Sequence, residues 1–193
     1  DMQVGQFLDR LRELGELDNT IIIYSTDNGP EHVGRVHGGT TPFRGEKLTT
    51  YEGGVRVPFI VSWPGHIPAG QVKQGIQANM DVFTTLAAAA GVEDVAADIL
   101  KEKNQVIDGV NNLAWWQGTA DKSNRDDFIY YEGTDIRAVR LGKWKMHFAT
   151  SEGMLLPWHE QKCPLVMNLH FDPYESFDSE TDVTYGNERK QWL

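Results

Sequence analysis

The pattern of apolar and polar residues predicts a helix followed by a strand at the start of the chain. Apolar residues recur at helical spacing from Val4 to Leu14, charged residues occupy the opposite face, and Gly15 follows as a stop signal. The next apolar run, Thr20 to Thr26, is rich in β-branched residues and does not alternate with polar positions. Such a run is typical of a strand that is buried on both faces of a parallel sheet.

Asp27, Asn28 and Gly29 follow this predicted strand directly. Because ligands bind just beyond the carboxyl ends of strands in open α/β sheets, these residues occupy the position where such a fold places its chemistry. Residues 29–54 are rich in Gly, Pro, Thr and His and have no apolar periodicity, which predicts a long loop. Loops of that length in compact domains are usually functional. A second strand is predicted from Val55 to Trp63.

The middle of the chain predicts one clear helix, from Asp81 to Ala90, with Asn79 or Asp81 as its cap and Gly91 as its end. Residues 93–116 show no comparable pattern apart from a turn at Asp108-Gly109.

The character of the sequence changes near Asp121, where the polar segment 120–127 is typical of a linker. Four alternating or aromatic runs follow and predict an antiparallel sheet of about four strands. These runs begin at Phe128, Ile136, Trp144 and Leu165. Residues 181–193 are predicted to form a terminal helix capped by Thr181 or Asp182. We therefore divide the chain into residues 1–120 and 121–193.

The composition narrows the class of protein. The chain has 193 residues, of which 40% are hydrophobic and 24% charged, as expected for a globular protein. A net charge of -10 argues against nucleic-acid binding, which depends on clustered Lys and Arg. The apolar runs are far shorter than the roughly 20 residues that cross a bilayer. Cys163 is the only cysteine of the sequence, so no intrachain disulfide can form and the compartment stays undetermined.

Asp27 and Asn28 are the first candidates for chemistry. A carboxylate beside an amide carbonyl supplies the hard oxygen atoms that Ca²⁺ or Mg²⁺ prefers. Calcium takes about six to eight oxygens, so further ligands would have to come from elsewhere, and we expect them upstream of this sequence. The alternative interpretation is an Asx turn at the end of a strand, where Asp-Asn-Gly is frequent.

The loop that follows contains further polar candidates. Lys47 lies in RGEKLTTYEGGVR and is either a point cation for an anionic substrate group or a solvated surface charge. His32 and His37 could donate to an oxyanion or a leaving oxygen, or serve only as hydrogen-bonding residues of the loop. Arg56 is predicted to pair with Glu52 and to support the loop.

Three segments together resemble a known family. STDNGPE, TPFRGEK and TTYEGGVRVPFIVSWPG resemble, in order and spacing, the later half of the sulfatase family, within the alkaline-phosphatase-like superfamily. VIDGVN, RAVRLGKWKMHF and LVMNLHFDPYES resemble the small terminal subdomain of arylsulfatases, so the resemblance covers nearly the whole chain. It implies an α/β fold: the carboxyl-terminal part of a three-layer α/β sandwich, then a small four-stranded antiparallel sheet with a terminal helix.

The resemblance also implies a reaction. Sulfatases cleave sulfate esters with a formylglycine, made from the Cys or Ser of a Cys/Ser-x-Pro-x-Arg pattern, and with a divalent cation that is usually calcium. By position, Asp27 and Asn28 resemble the family's two late ligands of Ca²⁺ or Mg²⁺, and Lys47 resembles the lysine that contacts the sulfate. The implied substrate is a small sulfate ester or a sulfated glycan, and the implied location is periplasmic or secreted. His32 and His37 match no family position.

One departure from the family changes the expectation for this chain. The sequence that begins at Cys163, CPLVM, lacks the proline and the arginine at the offsets that the modification pattern requires. In the family the nucleophile and the earlier acidic ligands precede the DNG segment. We therefore expect a carboxyl-terminal fragment that does not hydrolyse sulfate esters alone, binds calcium poorly, and associates with itself or with the missing half. Two alternatives remain: a phosphate or phosphonate ester hydrolase of the same superfamily, and a non-catalytic module that binds a sulfated ligand or a partner chain.

Overall fold

The computed structural model describes residues 1–32 and 39–176 and has a mixed α/β fold. The described α-helices and strands are, in chain order, α1 (Met2–Glu13), β1 (Ile22–Ser25), α2 (Glu52–Val55), β2 (Phe59–Ser62), α3 (Asp81–Ala89), α4 (Val95–Lys103), α5 (Leu113–Trp116), β3 (Asp127–Glu132), β4 (Asp135–Leu141), β5 (Trp144–Thr150) and β6 (His159–Asn168). A short 3-10 helix, Leu17–Asn19, lies between α1 and β1. The predicted terminal helix at 181–193 lies outside the described residues.

The chain forms two compact units. The first contains residues 1–25 and 59–125, and the second contains residues 26–58 and the chain from residue 126 onward. The loop that carries Asp27, Asn28 and Lys47 therefore belongs to the same unit as the carboxyl-terminal sheet. The proposed division of the chain near residue 120 stays a prediction.

Helix α1 confirms the periodicity at the start of the chain. It runs from Met2 to Glu13 and ends where Gly15 adopts a φ of +72°, a left-handed conformation that glycine accepts without strain. This turn lets the backbone N–H of Glu16 donate to the carbonyl of Leu11 at 3.0 Å, a bond typical of helix ends.

Strand β1 exists as predicted, but its partner and its burial differ from the prediction. It pairs antiparallel with β2, with Ile22 opposite Ser62 and Tyr24 opposite Ile60. Within the first unit Tyr24 is 53% exposed and Ile60 is 58% exposed. The prediction of a parallel strand buried on both faces is therefore wrong for the described pairing. An apolar run indicates a tendency to be buried, but it carries no information on the direction of the neighbouring strand.

Residues 120–125 of the segment interpreted as a linker are an anchored part of the first unit. Arg125 donates from Nε and Nη2 to the carboxylate of Asp81 at 2.7 to 3.0 Å, and both side chains are buried. Ser123 donates from Oγ to the carbonyl of Ile76 at 2.6 Å. The linker interpretation is wrong because polar residues also occur where buried polar groups satisfy one another.

The same ion pair explains the start of α3. The residue that precedes the helix is Met80, which has no capping side chain, so the prediction of Asn79 or Asp81 as the cap is wrong. Asp81 instead accepts hydrogen bonds from the backbone N–H groups of Ala78 and Val110, both at 2.9 Å. Its carboxylate is thereby committed to residues outside the helix.

Helices α4 and α5 lie in residues 93–116, where the sequence showed no clear helical pattern. Helix α4 begins at an N-cap, Asp94, which accepts a hydrogen bond from the backbone N–H of Ala97 at 3.0 Å. It ends at Asn104, which adopts the left-handed conformation with a φ of 51°. These capping residues were readable in the sequence, whereas the weak apolar periodicity between them was not.

The carboxyl-terminal region confirms the predicted antiparallel sheet. Its strands are ordered β3-β4-β5-β6, and each pairs antiparallel with the next. Alternate residues of β5 are fully buried, namely Lys145, His147 and Ala149. Two ionisable side chains therefore occupy positions where a sheet normally buries apolar residues.

Candidate functional site

The residues after β1 form a tight polar turn. Asp27 accepts hydrogen bonds at Oδ1 from the backbone N–H of Asn28 at 3.0 Å and from the hydroxyl of Thr26 at 3.2 Å. The side-chain Nδ2 of Asn28 donates to the carbonyl of Gly29 at 2.8 Å. Asp27 is exposed and Asn28 half-buried. An Asx turn at Asp27 would bond its carboxylate to the backbone N–H of Gly29, but that N–H donates to the carbonyl of Gly54 at 2.9 Å. The alternative interpretation as an Asx turn is therefore wrong for Asp27, and the observed bonds orient both side chains.

A second segment of the loop is bonded to this turn through the backbone. The N–H of Gly29 donates to the carbonyl of Gly54, and the N–H of Lys47 donates to the carbonyl of Pro30, both at 2.9 Å. A Cβ atom at Gly29 would collide with the carbonyl of Gly53. The two segments therefore approach so closely that only glycine fits at the contact.

Lys47 lies beside the acidic turn, and its ammonium contacts a residue that the sequence did not single out. Nζ of Lys47 lies 3.5 Å from Oε2 of Glu31, and the Lys47 side chain is 34% exposed. Among the described residues no contact joins the ammonium to Asp27 or Asn28. An exposed pair at this distance is a weak interaction, so the Glu31 contact leaves the ammonium able to bind an anion.

His32 is held by a buried carboxylate. Its backbone N–H donates to Oε2 of Glu46 at 2.6 Å, and its ring Nδ1 lies 3.5 Å from the same oxygen. Oε1 of Glu46 accepts from the backbone N–H of Met154 at 2.9 Å. The hydrogen bond from Met154 is the main reason that the pKa of Glu46 lies below its ordinary value. These contacts favour a hydrogen-bonding role for His32 within the loop. His37 lies outside the described residues.

The predicted pairing of Arg56 with Glu52 is wrong. The guanidinium of Arg56 lies over the ring of Phe43, 4.5 Å from its centroid. Glu52 is buried and pairs with Lys145, whose Nζ lies 3.1 Å from Oε1. A partner 93 residues away in the chain could not be identified from the local sequence.

Sequence reasoning missed the cluster to which this pair belongs, which we call the buried cluster: Glu52, Lys145, His147 and Glu175. Nζ of Lys145 lies 3.0 Å from Oε1 of Glu175, and Nε2 of His147 lies 2.7 Å from the same oxygen. The signal that could have revealed the cluster is the alternation in WKMHF, which places Lys145 and His147 on one face of a strand.

Burial and charge set the ionisation of this region. Burial is the main cause of the lowered pKa of His147. Burial alone would raise the pKa of Glu175, but the hydrogen bond from His147 and the charge of Lys145 outweigh it, so that pKa is lowered. Burial raises the pKa of Tyr51 to about 12. Near neutral pH the lowered pKa values make Glu175 a carboxylate and the ring of His147 a neutral imidazole.

The donor chemistry of the turn suits a hard cation. In the described ranges, Oδ2 of Asp27 and Oδ1 of Asn28 accept no hydrogen bond from the protein, and both are oxygen atoms of the kind that calcium prefers. The described part of the chain contains no group of three or more His, Cys, Asp or Glu side chains that could hold a metal ion. The chemistry of these two oxygen atoms thus fits a hard cation.

Within residues 1–32 and 39–176, no helix is long and apolar enough to cross a bilayer.

The sequence of this chain is similar to known families and proteins. Residues 1–92 match the Sulfatase family, and residues 123–191 match the family described as the C-terminal region of aryl-sulfatase. N-acetylgalactosamine-6-sulfatase of Sus scrofa is 39% identical over 201 residues, which cover 92% of this chain and 37% of that protein. The chain therefore spans little more than a third of the length of this curated relative.

Solved structures give the same result for the fold. The PsFucS1 sulfatase from Pseudoalteromonas sp. superposes with a TM-score of 0.79 at 30% identity, over 97% of this chain and 39% of that one. BT4656, solved in complex with its substrate D-glucosamine-2-N,6-O-disulfate, superposes with a TM-score of 0.58 at 25% identity, over 97% of this chain and 35% of that one. The mixed α/β fold with its four-stranded sheet is thus that of the carboxyl-terminal part of sulfatases, and the chain belongs to the sulfatase family.

Proposed function

We propose that this chain is the carboxyl-terminal part of an arylsulfatase-like sulfuric ester hydrolase. Asp27 and Asn28 contribute to the binding of a divalent cation, calcium in preference to magnesium, and Lys47 contacts the sulfate group of the substrate. The observation that carries the proposal is the backbone bonding between the Asp27–Pro30 turn and the loop of Lys47, because it brings an acidic turn and an ammonium into one local structure.

The chemistry of sulfate transfer explains why these residue types are needed. Negative charge accumulates on the sulfate oxygens as the ester bond breaks, and a cation held in place stabilises that charge. The ammonium of Lys47 supplies such a point charge, and its backbone bond to Pro30 holds the loop that carries it. A calcium ion held by Asp27 and Asn28 would polarise the same oxygens as a Lewis acid. The formylglycine nucleophile is assigned to a part of the enzyme outside these 193 residues.

The relatives support a proposal for the class of substrate. One relative is an N-acetylgalactosamine-6-sulfatase, and another was solved with a disulfated glucosamine as its substrate. We propose a sulfated sugar or glycan as the substrate, with a small aryl sulfate as the practical assay compound.

The test uses the chain in continuous frame with the coding sequence that precedes it. We expect hydrolysis of an aryl sulfate, and we expect Lys47→Ala to lower kcat by about 10²- to 10³-fold, the usual loss for one group that stabilises transition-state charge. Lys103→Ala, in the last turn of α4, is the matched control and should leave kcat unchanged. Wild-type kcat in the Lys47 variant would overturn the assignment of Lys47.

The metal assignment has its own measurement. Asp27→Ala and Asn28→Ala should each weaken calcium binding in titration calorimetry of the longer protein, whereas Asp98→Ala on α4 should not. Unchanged calcium affinity in both variants would contradict the assignment of the ligands. The 193-residue chain alone should bind calcium weakly and show no turnover, and hydrolysis at a normal enzymatic rate by this chain would refute that part of the proposal.

The two alternatives predict different results in the same experiments. Preferential hydrolysis of an aryl phosphate over the matched aryl sulfate would favour the phosphate or phosphonate ester hydrolase. A start codon at this position, with no upstream frame that carries the modification pattern, would favour the non-catalytic binding module.

A further inference from the structure

The buried cluster connects the carboxyl-terminal sheet to the loop that carries Lys47. Lys145 and His147 lie two residues apart on one face of β5, and both are fully buried. Glu52 is the first residue of α2 in the loop, and Glu175 follows β6. Lys145 contacts both carboxylates, at 3.1 Å for Glu52 and 3.0 Å for Glu175. One ammonium thus joins the loop and the segment after the sheet.

Further bonds hold the neighbouring loop residues to the same cluster. The backbone N–H of Glu52 donates to Oε2 of Glu175 at 2.5 Å. The hydroxyl of Thr50 lies 3.1 Å from Nδ1 of His147, and Nε2 of that ring lies 2.7 Å from Glu175. Because burial lowers the pKa of His147, the ring is neutral near pH 7, so Nε2–H donates to Glu175 and the Thr50 hydroxyl donates to Nδ1.

The backbone next to Glu52 connects the buried cluster to the candidate site. Glu52 is followed by Gly53 and Gly54, where a Cβ atom would collide with the carbonyl groups of the preceding loop. The carbonyl of Gly54 accepts the N–H of Gly29, the residue after Asn28. A shift of residues 50–54 therefore moves the contact that holds the Asp27–Asn28 turn.

The charges of the cluster show why its members depend on one another. Glu52 and Glu175 are buried carboxylates, and burying a charge is costly unless it is paired. Lys145 lies between them, and Nη1 of Arg140 lies 3.7 Å from Glu52. Removing one partner of a buried ion pair leaves an uncompensated charge, which forces the loop or the sheet to rearrange.

We propose that Lys145 and His147 are positioning residues for the candidate site. By holding Glu52, Glu175 and Thr50, they set the position of the loop that carries Lys47 and contacts the Asp27–Asn28 turn. The effect of these residues on catalysis rests on the proposed function. The structural connection between the buried cluster and the loop does not.

Two backbone amides report directly on the link, those of Gly29 and Lys47, which donate to Gly54 and Pro30. Hydrogen exchange of the 193-residue chain is followed at these amides by NMR, with the amide of Gly142, which donates to Asp126, as the reference. We expect His147→Leu and Lys145→Met to accelerate exchange at Gly29 and Lys47 by at least about tenfold relative to Gly142.

Rescue variants separate positioning from a general loss of stability. His147→Gln keeps an amide N–H that can donate to Glu175, and it should restore most of the protection lost in His147→Leu. Adding Glu52→Gln to Lys145→Met removes a carboxylate left without its partner, and it should restore protection relative to Lys145→Met alone. Circular dichroism establishes which variants fold, and if His147→Leu does not fold, the Lys145 pair decides the question.

The proposal is overturned if Gly29, Lys47 and Gly142 lose protection equally, or if the first two keep wild-type protection while the unfolding midpoint falls. These measurements need no sulfate ester. Failure of sulfate hydrolysis in the longer protein would therefore refute the proposed function without affecting the exchange result. Failure of the exchange prediction would refute the positioning role without affecting the proposed function.

Discussion

Leu48, next to Lys47, adopts a backbone conformation that is unfavourable for its residue type. Its φ is +66°, a left-handed conformation that costs a non-glycine residue about 1 to 2 kcal/mol. The turn that imposes it is closed by the backbone N–H of Thr49, which donates to the carbonyl of Glu46 at 3.0 Å. The Leu48 side chain is 60% exposed and gains little burial in return.

Leu48→Gly should therefore stabilise the protein. The free energy gained by relieving the strained φ should exceed the cost of the larger chain entropy that glycine gives to the unfolded state. We therefore expect a gain of about 0.5 kcal/mol in the free energy of unfolding, measured in urea. Leu155→Gly is the matched control, since Leu155 is 72% exposed and lies outside the left-handed region, and it should destabilise. If Leu48→Gly loses as much stability as the control, the interpretation that Leu48 is strained is wrong.

The ionisation of His147 predicts how stability changes with pH. Its pKa in the folded chain lies below the ordinary value of about 6.5, mainly because the ring is buried. Below about pH 6.5 the unfolded chain therefore binds more protons than the folded chain, and stability falls as the pH falls. The pKa of Glu175 is also lowered, so its contribution is present above its unfolded pKa of about 4.5 and is lost at lower pH.

Urea unfolding at several pH values between 7.5 and 4 checks this expectation. The wild-type free energy of unfolding should decline in two stages, and His147→Gln should remove the stage that begins near pH 6.5. The groups around the ring that act on this titration are Glu175, Lys145 and Arg44. The same first-stage decline in wild type and His147→Gln would assign it to another group.

At the scale of elements, α3 is fixed by an ion pair rather than by a cap. The carboxylate of Asp81 is fully buried and holds Arg125 together with the backbone of Ala78 and Val110. Asp81→Ala removes the carboxylate that neutralises the buried guanidinium of Arg125, so we expect a loss of about 3 to 5 kcal/mol in the free energy of unfolding. Asp98→Ala, on the exposed face of α4, should change it by less than about 0.5 kcal/mol. Equal effects of the two substitutions would contradict this account of α3.

At the scale of the whole molecule, the surface combines apolar residues with a high negative charge. Helix α1 has no buried residue, and Phe7 and Leu14 are both more than half exposed. The net charge of -10 opposes association of two copies by repulsion.

We therefore expect self-association of the 193-residue chain to increase with salt, because about 0.5 M salt screens the repulsion and leaves the apolar contacts intact. Sedimentation velocity at low and high salt measures this, and Phe7→Ser with Leu14→Ser should reduce the association. Asp9→Ser with Arg12→Ser replaces an exposed ion pair of the same helix without changing the net charge, and it serves as the control. A monomer at every salt concentration would contradict the expectation.

Much of this architecture and of the candidate site was predictable because its signals are local. Helical spacing from Val4 to Leu14 and the alternating runs after Phe128 predicted α1 and the antiparallel sheet, since the side-chain period of each element is a property of its own backbone. The order of the Asp27-Asn28 and Lys47 segments likewise indicated the sulfatase family, which the comparisons confirm.

Only the tertiary structure decided which distant groups meet. The antiparallel pairing of β1 with β2, the anchoring of Arg125 by Asp81 and the burial of Lys145 between Glu52 and Glu175 all join residues far apart in the chain. A charged residue in a sequence shows that a counter-charge is needed if it becomes buried, but not where that counter-charge comes from. The chain by itself thus determined the elements and the family, and folding decided the partners, because pairing energies depend on distances that only the packed chain defines.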